Sequence, residues 1–321
     1  MSVRVIKNWD EESKSHMCVC VHDGIFHADD VLCVALADVL SPDMVDVVRT
    51  RDMNIIRKAD LCCDIKTEFG NYDVSPVHGP GAVFDHHTIE KDENGNDTRK
   101  RYPSPSEELP GILYCAASHF FEWFSDGTMD PAKKEIIENK LIKPVACQDN
   151  GQELSDYGMK VNPLSFVSYM NPIDNKDADA RFLECVKMTR SIYHSISEKA
   201  SKTLADNREI SIRLLRTVSN QLGYFEMDEY LDDWIPRIVA HNDGEPKIVC
   251  ATFKGKVRGW NLQMVPKAVG NFETWYKIPD FIVEGTDGCT FVHADRWLAA
   301  FNTKEEALEA ARKTAAYFSH R

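Results

Sequence analysis

Short apolar segments alternate with helical ones over the first part of the chain, and this alternation constrains the fold more than any other feature. Residues 17–21 are a run of Met, Val and Cys, which predicts a strand. After a polar loop, residues 28–40 place apolar side chains at helical spacing. The alternation continues with predicted strands at 46–49, 61–65 and 81–84 and a short helix at 52–58. Such a pattern predicts a parallel sheet with helices on its faces.

The remainder of the chain predicts helices first and short strands later. Helices are expected at 112–124, 132–146 and 177–216, with a proline-containing surface loop at 94–110. Beyond Pro236, strands are expected at 247–253, 260–265, 290–293 and 297–301, before a closing helix at 303–318. A chain of 321 residues exceeds one ordinary core. We therefore predict an α/β protein in three parts: an N-terminal parallel-sheet domain (1–170), a helical connector (171–235) and a smaller C-terminal α/β domain (236–321).

The composition limits the compartment and the partners. A formal net charge of −13 excludes a protein that binds nucleic acid through overall basicity, although a local basic track stays open. The chain contains no apolar run long enough for a membrane span and no signal-peptide pattern at its start. Its ten cysteines are scattered, without a Cys-x-x-Cys pair, which is typical of a reducing compartment such as the cytoplasm.

Histidines and aspartates gather at the ends of the predicted elements. The candidates are His22, His27 and Asp29 after the first strand, Asp64 in a later strand, Asp85-His86-His87 after the strand at 81–84, and Asp149 after a helix. Loops at the carboxyl ends of parallel strands converge on one crevice. Imidazole and carboxylate together suit Mn²⁺, Zn²⁺ or Fe²⁺ better than Ca²⁺, and so many candidates indicate a two-metal site.

Each of these segments also has a simpler explanation. A histidine in a loop is more often a surface or hydrogen-bonded residue than a metal ligand. Asp29 could favour the start of a helix through the helix dipole. Asp149-Asn150-Gly151 is an ordinary turn sequence. The combination of all four segments is what favours a metal site.

The ordered set of motifs resembles one protein family. The motifs are His22-x-Gly24-x-Phe26-His27-x-Asp29, Arg49-Thr50-Arg51-Asp52, Asp64 in an apolar strand, Asp85-His86-His87, Asp149-Asn150-Gly151, Val265-Pro266-Lys267 and Phe291-Val292-His293-Ala294. They resemble the Myg (melanocyte proliferating gene) family, often labelled a metal-dependent protein hydrolase, of the DHH phosphoesterase superfamily. The resemblance covers nearly the whole chain. It implies a DHH-type N-terminal domain that holds two metal ions and a C-terminal domain that closes over substrate.

The resemblance also implies roles for individual residues. The implied metal ligands are His22, His27, Asp29, Asp64, His86 and Asp149, with Asp64 bridging the two ions. His87 would face the scissile phosphate, and Asp85 would orient a neighbouring histidine. His27 stands where the superfamily usually has an aspartate, which adds a nitrogen ligand. Mn²⁺ is therefore the first expectation, with Mg²⁺ and Zn²⁺ as alternatives.

The activity that the resemblance implies is 3′–5′ exoribonuclease hydrolysis of RNA by metal-bound hydroxide, in nucleus and mitochondrion. The implied substrate-binding residues are Arg49, Arg51, Lys267, His293 and Arg296. The two arginines could instead pair with Asp52 or Asp60. The basic run 99–101 could follow an RNA backbone, although a solvated loop is the simpler expectation.

One departure from the family pattern opens alternatives. Where the family pattern resembles a turn with two adjacent glycines, this chain has Ala299-Ala300. An alanine methyl would hinder the close approach of the backbone to a phosphate. The chain could therefore hydrolyse small phosphorylated molecules, such as short oligonucleotides, cyclic dinucleotides or phosphoanhydrides. A third hypothesis is that the chain is a non-catalytic, metal-binding regulatory protein. The sequence leaves the oligomeric state and the choice between RNA and DNA open.

Overall fold

The structure is a computed structural model that describes residues 3–7, 16–66, 81–87, 91–95, 97–172, 175–257, 259–270 and 274–319. The chain divides into two compact units, Met1–Ala200 and Ser201–Arg321. The division lies inside a long helix, Ala178–Ser219. It therefore falls within residues 171–235, the segment expected to act as a helical connector, and the three-part division stays a prediction.

The first unit contains a five-stranded sheet in which neighbouring strands are all parallel. Its strands are β1 (Val3–Val5), β2 (Met17–Val21), β3 (Val45–Arg49), β4 (Leu61–Cys63) and β5 (Ala82–Phe84), in the order β1-β3-β2-β4-β5. In the central strand β2, every residue except Met17 is buried. An unbroken apolar run is typical of a parallel strand covered on both faces. The predicted α/β class and the parallel sheet are confirmed.

Helices surround this sheet and supply the rest of the first core. They are α1 (Ala28–Leu40), α2 (Met53–Ile56), α3 (Ala116–Ser125), α4 (Pro131–Ile137), α5 (Lys143–Asp149), α6 (Val167–Met170) and α7 (Ala178–Ser219). Helix α1 packs against α3 and α5 and is buried over most of its length. Its first turn carries Asp29 and Asp30, both fully buried. Buried aspartates are rare unless they are paired or bind a metal, so this turn is a candidate functional site.

Two predicted helices differ from the observed ones. The helix expected from 112 begins only at Ala116, because the preceding residues pair with an extended segment: Tyr102 N–H donates to Ile112 O and Tyr114 N–H to Lys100 O. The helix expected at 132–146 is interrupted by a π-helical turn, Glu138–Ile142, and resumes as α5. Hydrogen bonds to distant residues decide the first difference, and local periodicity does not show them.

The second unit contains a mixed five-stranded sheet. Its strands are β6 (Tyr224–Glu226), β7 (Cys250–Lys254), β8 (Trp260–Met264), β9 (Cys289–Val292) and β10 (Leu298–Phe301), in the order β6-β7-β8-β10-β9. Only the β6–β7 pair is parallel. The closing helix α10 (Lys304–Ser319) packs on this sheet through a row of buried alanines.

Several short elements have no counterpart in the sequence prediction. They are β1, β6, α6, α8 (Trp234–Asn242) and α9 (Asp280–Glu284). The two strands have three residues each, too few to show a period of two. No helix in the part of the chain that the structure describes combines the length and the apolar character needed to cross a membrane.

Candidate metal centre

Parallel strands bring the candidate ligands to one edge of the first sheet. His22 directly follows β2, Asp64 directly follows β4, and residues 85–87 directly follow β5. His27 precedes the first turn of α1, and Asp149 is the last residue of α5. Since the strands share one direction, their carboxyl ends face the same crevice.

Asp64 lies at the centre of this cluster and is 2% exposed. Its Oδ2 lies 3.3 Å from His22 Nε2 and 4.0 Å from His27 Nδ1. Its Oδ1 lies 3.2 Å from His86 Nε2 and 3.4 Å from His87 Nδ1. The backbone of Asp64 has φ +54°, in the left-handed region that non-glycine residues rarely adopt. Such strain persists where the surroundings fix a side chain, and it is common at functional sites.

Contacts with histidines shift the pKa of Asp64. Burial would raise the pKa of Asp64, but contacts with His22 and His86 lower that pKa below its usual value. Burial lowers the pKa of His22, whereas the carboxylates of Asp30 and Asp64 raise it more strongly, to about 10. His22 Nε2 lies 2.9 Å from Asp30 Oδ2. Oδ1 of Asp64 and Oδ1 of Asp30 nevertheless accept no hydrogen bond from a described residue.

Asp29 and Asp149 lie in a different electrostatic environment. Asp29 is wholly buried, and neither of its carboxylate oxygens accepts a hydrogen bond from a described residue. Burial, followed by the charges of Asp64 and Asp149, raises the pKa of Asp29 well above its usual value. Asp149 Oδ2 also accepts no hydrogen bond within the described chain, and burial raises the pKa of this carboxyl. His86 Nε2 lies 3.3 Å from Asp149 Oδ2 and 3.9 Å from Asp29 Oδ2.

These unpartnered carboxylates fit a bound cation. An uncompensated buried carboxylate is costly, and a divalent ion satisfies several such oxygens at once. Three groups of side chains bring ligand atoms within 4.8 Å of one another: His22, His27, Asp30 and Asp64; Asp64, His86 and His87; and His27, Asp29 and Asp149. Asp64 and His27 each belong to two groups. The arrangement can hold metal ions, and shared residues suit neighbouring ions.

The sequence prediction omitted Asp30 from the ligand set. Asp30 is fully buried, and its Oδ2 accepts from the backbone N–H of His27 at 3.2 Å while also facing His22. Its carboxylate therefore caps the start of α1 and belongs to one of the metal-binding groups. The sequence signal was its position beside Asp29 in the first helical turn, where a dipole effect is the usual explanation.

His87 differs from the other histidines because it is half exposed. Its Nδ1 lies 2.7 Å from Asp85 Oδ1, and 48% of its side chain is accessible. The hydrogen bond to Asp85 is the largest influence on the pKa of His87 and raises it. The predicted roles, with His87 facing the phosphate and Asp85 orienting a histidine, stay predictions.

A cavity of about 370 Å³ opens beside the cluster and carries two basic side chains, Arg51 and Lys66. His22, His27, Asp64 and His87 also line it. Arg51 is exposed and pairs with Asp23, with Nε 3.0 Å from Oδ1. Lys66 was missed by the sequence reasoning, although it stands two residues after Asp64. The sequence signal for Lys66 was its position just beyond the end of a predicted strand.

Arg49, the other predicted phosphate ligand from this region, is committed to internal contacts. Its side chain is 4% exposed, and Nη1 lies 3.1 Å from Asp179 Oδ1. Nη2 donates to the carbonyl of Gly24, and the guanidinium lies 5.0 Å from the Phe182 ring centroid. The expected alternative partners were Asp52 and Asp60. In the structure Arg49 instead ties the loop that carries the first ligands to α7.

The basic run at 99–101 is balanced by nearby acids. Arg99 and Arg101 both pair with Asp97, and Lys100 pairs with Glu122. The Arg99 contact holds the pKa of Asp97 at about 2. These ion pairs leave less positive charge for an RNA backbone than the sequence alone indicates.

The remaining predicted substrate ligands belong to the second unit. Lys267 Nζ lies 5.4 Å from the Tyr276 ring centroid, the His293 ring lies 4.7 Å from that of Trp297, and Arg296 pairs with Asp280. Their role as a substrate clamp stays a prediction. Ala299 and Ala300 are buried in β10 between β8 and β9, so they belong to a regular strand, and their methyl groups point to opposite faces of the sheet.

The fold and this cluster define an α/β protein with histidine and aspartate groups that can hold metal ions. The family model MYG1_exonuc, described as "Uncharacterised protein family (UPF0160)", matches residues 18–315. The chain belongs to this family, as the motifs indicated.

Two curated relatives are similar to most of this chain, and a third to about half of it. "MYG1 exonuclease" of Bos taurus is 24% identical over 331 residues, which cover 92% of this chain and 84% of that protein. A MYG1 protein of Schizosaccharomyces pombe is 26% identical and covers 92% of this chain and 96% of its own length. One from Chlamydia pneumoniae is 28% identical over 165 residues, 49% of this chain and 47% of that protein.

Proposed function

We propose that this protein is a metal-dependent phosphodiesterase of the DHH phosphoesterase type that hydrolyses RNA from its 3′ end. The observation that carries the proposal is the pair of buried, unpartnered oxygens of Asp29 beside the shared carboxylate of Asp64. The name of the Bos taurus relative, an exonuclease, supports a nucleic-acid substrate. The free cysteines support a reducing compartment, in cytoplasm, nucleus or mitochondrion.

Two divalent cations, with Mn²⁺ as the first candidate, would occupy the cluster. His22, His27, Asp29, Asp30, Asp64, His86 and Asp149 would hold them, with Asp64 shared. When bound, such ions supply Lewis acidity at a phosphoryl oxygen and neutralise charge that develops in phosphodiester cleavage. The mixture of nitrogen and oxygen donors suits Mn²⁺ better than Ca²⁺ or Mg²⁺.

The chain's own residues supply proton transfer and positioning. The Asp85 carboxylate holds one ring nitrogen of His87 and favours the imidazolium. The other ring nitrogen would give a proton to the leaving oxygen, as general acids do. Arg51 and Lys66 would attract the phosphates that flank the scissile one, since both line the cavity beside the cluster.

The test is a digestion of 5′-labelled RNA with the purified protein and Mn²⁺. A ladder that shortens from the 3′ end is expected, and chelation with EDTA should stop it. Asp29→Ala should abolish the ladder, whereas Asp43→Ala, at an exposed position in the loop before β3, should leave it unchanged. Absence of cleavage by the wild-type protein on RNA and on short phosphodiesters would contradict the proposal.

A second candidate function is hydrolysis of short phosphorylated molecules. The ion pairs of Arg99, Lys100 and Arg101 favour it, because they leave less positive charge along a segment that could follow a long strand. Dinucleotides, cyclic dinucleotides and pyrophosphate distinguish the two candidates. Turnover restricted to these substrates would replace RNA as the substrate, and metal binding without any turnover would indicate a regulatory protein.

A further inference from the structure

A second cavity, of about 460 Å³, adjoins the cavity that carries Arg51 and Lys66. The loop at 25–28, the end of α5 and the segment 162–171 line it. Asp149 lines it too, so one wall belongs to the candidate metal centre. Ile25 and His27 line both cavities, and the 66% exposed side chain of Ile25 stands at their shared rim. The metal cluster is therefore flanked by two spaces of different chemistry.

The second cavity is apolar with neutral polar groups. Buried Phe26, Val145, Leu164 and Val167 contribute to its walls. Besides His27 and Asp149 at the side of the metal centre, the polar lining consists of amides and hydroxyls from Gln148, Asn162, Ser165, Ser168 and Asn171. Among the described residues neither lysine nor arginine lines it, in contrast to the cavity with Arg51 and Lys66. A phosphate has no cationic partner here, whereas a flat heterocycle with donors and acceptors finds both an apolar surface and amides.

The walls are fixed by hydrogen bonds. Asn162 Nδ2 donates to Gln148 Oε1 at 2.7 Å, and its Oδ1 accepts from the backbone of Leu164 at 2.9 Å. Asn171 Oδ1 accepts from Phe26 N–H at 2.9 Å, and its Nδ2 donates to Phe26 O at 2.8 Å. The cavity is therefore formed before a ligand arrives, which lowers the entropic cost of binding.

We infer that this cavity binds the nucleobase and ribose of the nucleotide whose phosphodiester lies at the metal centre. The inference rests on the proposed function and specifies its substrate: a nucleoside-bearing phosphodiester. The base packs on the apolar wall and its edge meets the Gln148 and Asn162 amides, which is how proteins bind unstacked bases. Neighbouring phosphates extend into the adjoining cavity, towards Arg51 and Lys66. The substrate thus crosses the metal cluster with its terminal base in this cavity and its neighbouring phosphates beside Arg51 and Lys66.

The test compares two p-nitrophenyl phosphodiesters, the ester of uridine 5′-monophosphate and the methyl ester, which differ only in the nucleoside. Ser168→Phe fills the cavity from an exposed lining position, and Ser165→Phe is a second such variant. Ser191→Phe, at an exposed position on α7, is the matched control. With Mn²⁺, both cavity variants should raise KM for the uridine ester about tenfold and leave kcat within about twofold, as loss of uniform binding predicts. The methyl ester and the control should be unaffected.

Binding of uridine 5′-monophosphate and ribose 5-phosphate, measured by calorimetry with Mn²⁺ present, separates this inference from the proposed function. The wild-type protein should prefer the uridine compound by about tenfold or more, and both cavity variants should lose that preference. If no ester is hydrolysed but the preference exists and disappears in the variants, the proposed function fails and the cavity assignment stands. If esters are hydrolysed but the variants act on both alike, or retain the preference, the cavity assignment is wrong.

Discussion

The two halves of the candidate metal centre differ in how their negative charge is balanced. Asp64 faces histidines on both of its oxygens, and these contacts lower its pKa. Asp29 and Asp149 carry buried oxygens that accept no hydrogen bond from described residues, and burial raises the pKa of both carboxyls. The pKa of Asp64 is lowered and those of Asp29 and Asp149 are raised, although Asp64 Oδ1, like the oxygens of Asp29 and Asp149, accepts no hydrogen bond from a described residue. Histidine contacts therefore compensate one part of the site more than the other, and both parts have buried oxygens that a cation can satisfy.

Removal of the Asp64 charge should give the largest effect. Asp64→Asn keeps a residue type that tolerates a positive φ but deprives the proposed ions of their shared ligand. A loss of about 4 kcal/mol in transition-state stabilisation corresponds to about a thousandfold lower kcat/KM. Kinetics on a short RNA and metal analysis of the purified variant measure this. If Asp64→Asn kept the metal content and activity of the wild-type protein, Asp64 would not be the shared ligand of the site.

His87→Ala tests whether proton transfer is separate from metal binding. Because His87 is half exposed and bonded to Asp85, its loss should lower kcat by about a hundredfold, a usual cost of losing a general acid. Metal content should stay at the wild-type level, whereas His22→Ala should reduce it. Equal metal loss in both variants would make His87 a ligand like the others.

Asp29→Asn should have opposite effects with and without metal. In EDTA the variant should be more stable by about 1–3 kcal/mol, since the cost of burying or protonating this unpartnered carboxyl is removed. In Mn²⁺ it should gain less stabilisation than the wild-type protein, because a ligand is lost. Thermal unfolding in both conditions measures this, with Asp43→Asn as the exposed control. Lower stability of Asp29→Asn in EDTA would show that Asp29 is already satisfied.

The pH dependence of the metal-free protein should show the smallest effect. Asp29 and Asp149 have a raised pKa, so the folded state binds more protons than the unfolded state, and stability falls as pH rises from about 4 through their folded pKa values. The pKa of His22, about 10 when folded, acts in the same direction above its ordinary value. Mn²⁺ competes with these protons, so the increase in Tm on adding Mn²⁺ should be larger at pH 8 than at pH 5. A constant increase would contradict the assignment.

The sequence predicted the parallel sheet and the closeness of the candidate ligands because both depend on local pattern. Short apolar runs mark the buried strands, and His22, Asp64 and His86 stand next to strand ends that must converge. Arg49 and Arg51 could not be distinguished in this way. Arg49 is buried against Asp179, whereas Arg51, two residues later, is exposed beside the cluster. Only tertiary contacts decide which of the two arginines is buried.

Burial and hydrogen bonds over long sequence separations account for what the sequence did not predict. Asp30 joins the ligand groups because α1 is buried on all sides, which helical periodicity alone does not reveal. Residues 112–115 are extended because they pair with residues 100–102. Lys66 reaches the cavity through the backbone turn at Asp64, whose positive φ no pattern in the sequence signals.

The most direct test is an anomalous difference map from crystals of the protein grown with Mn²⁺. Two adjacent peaks that share Asp64 as a ligand are expected, with Asp29 and Asp149 among the other ligands. A single peak, or peaks away from Asp64 and Asp29, would contradict this expectation.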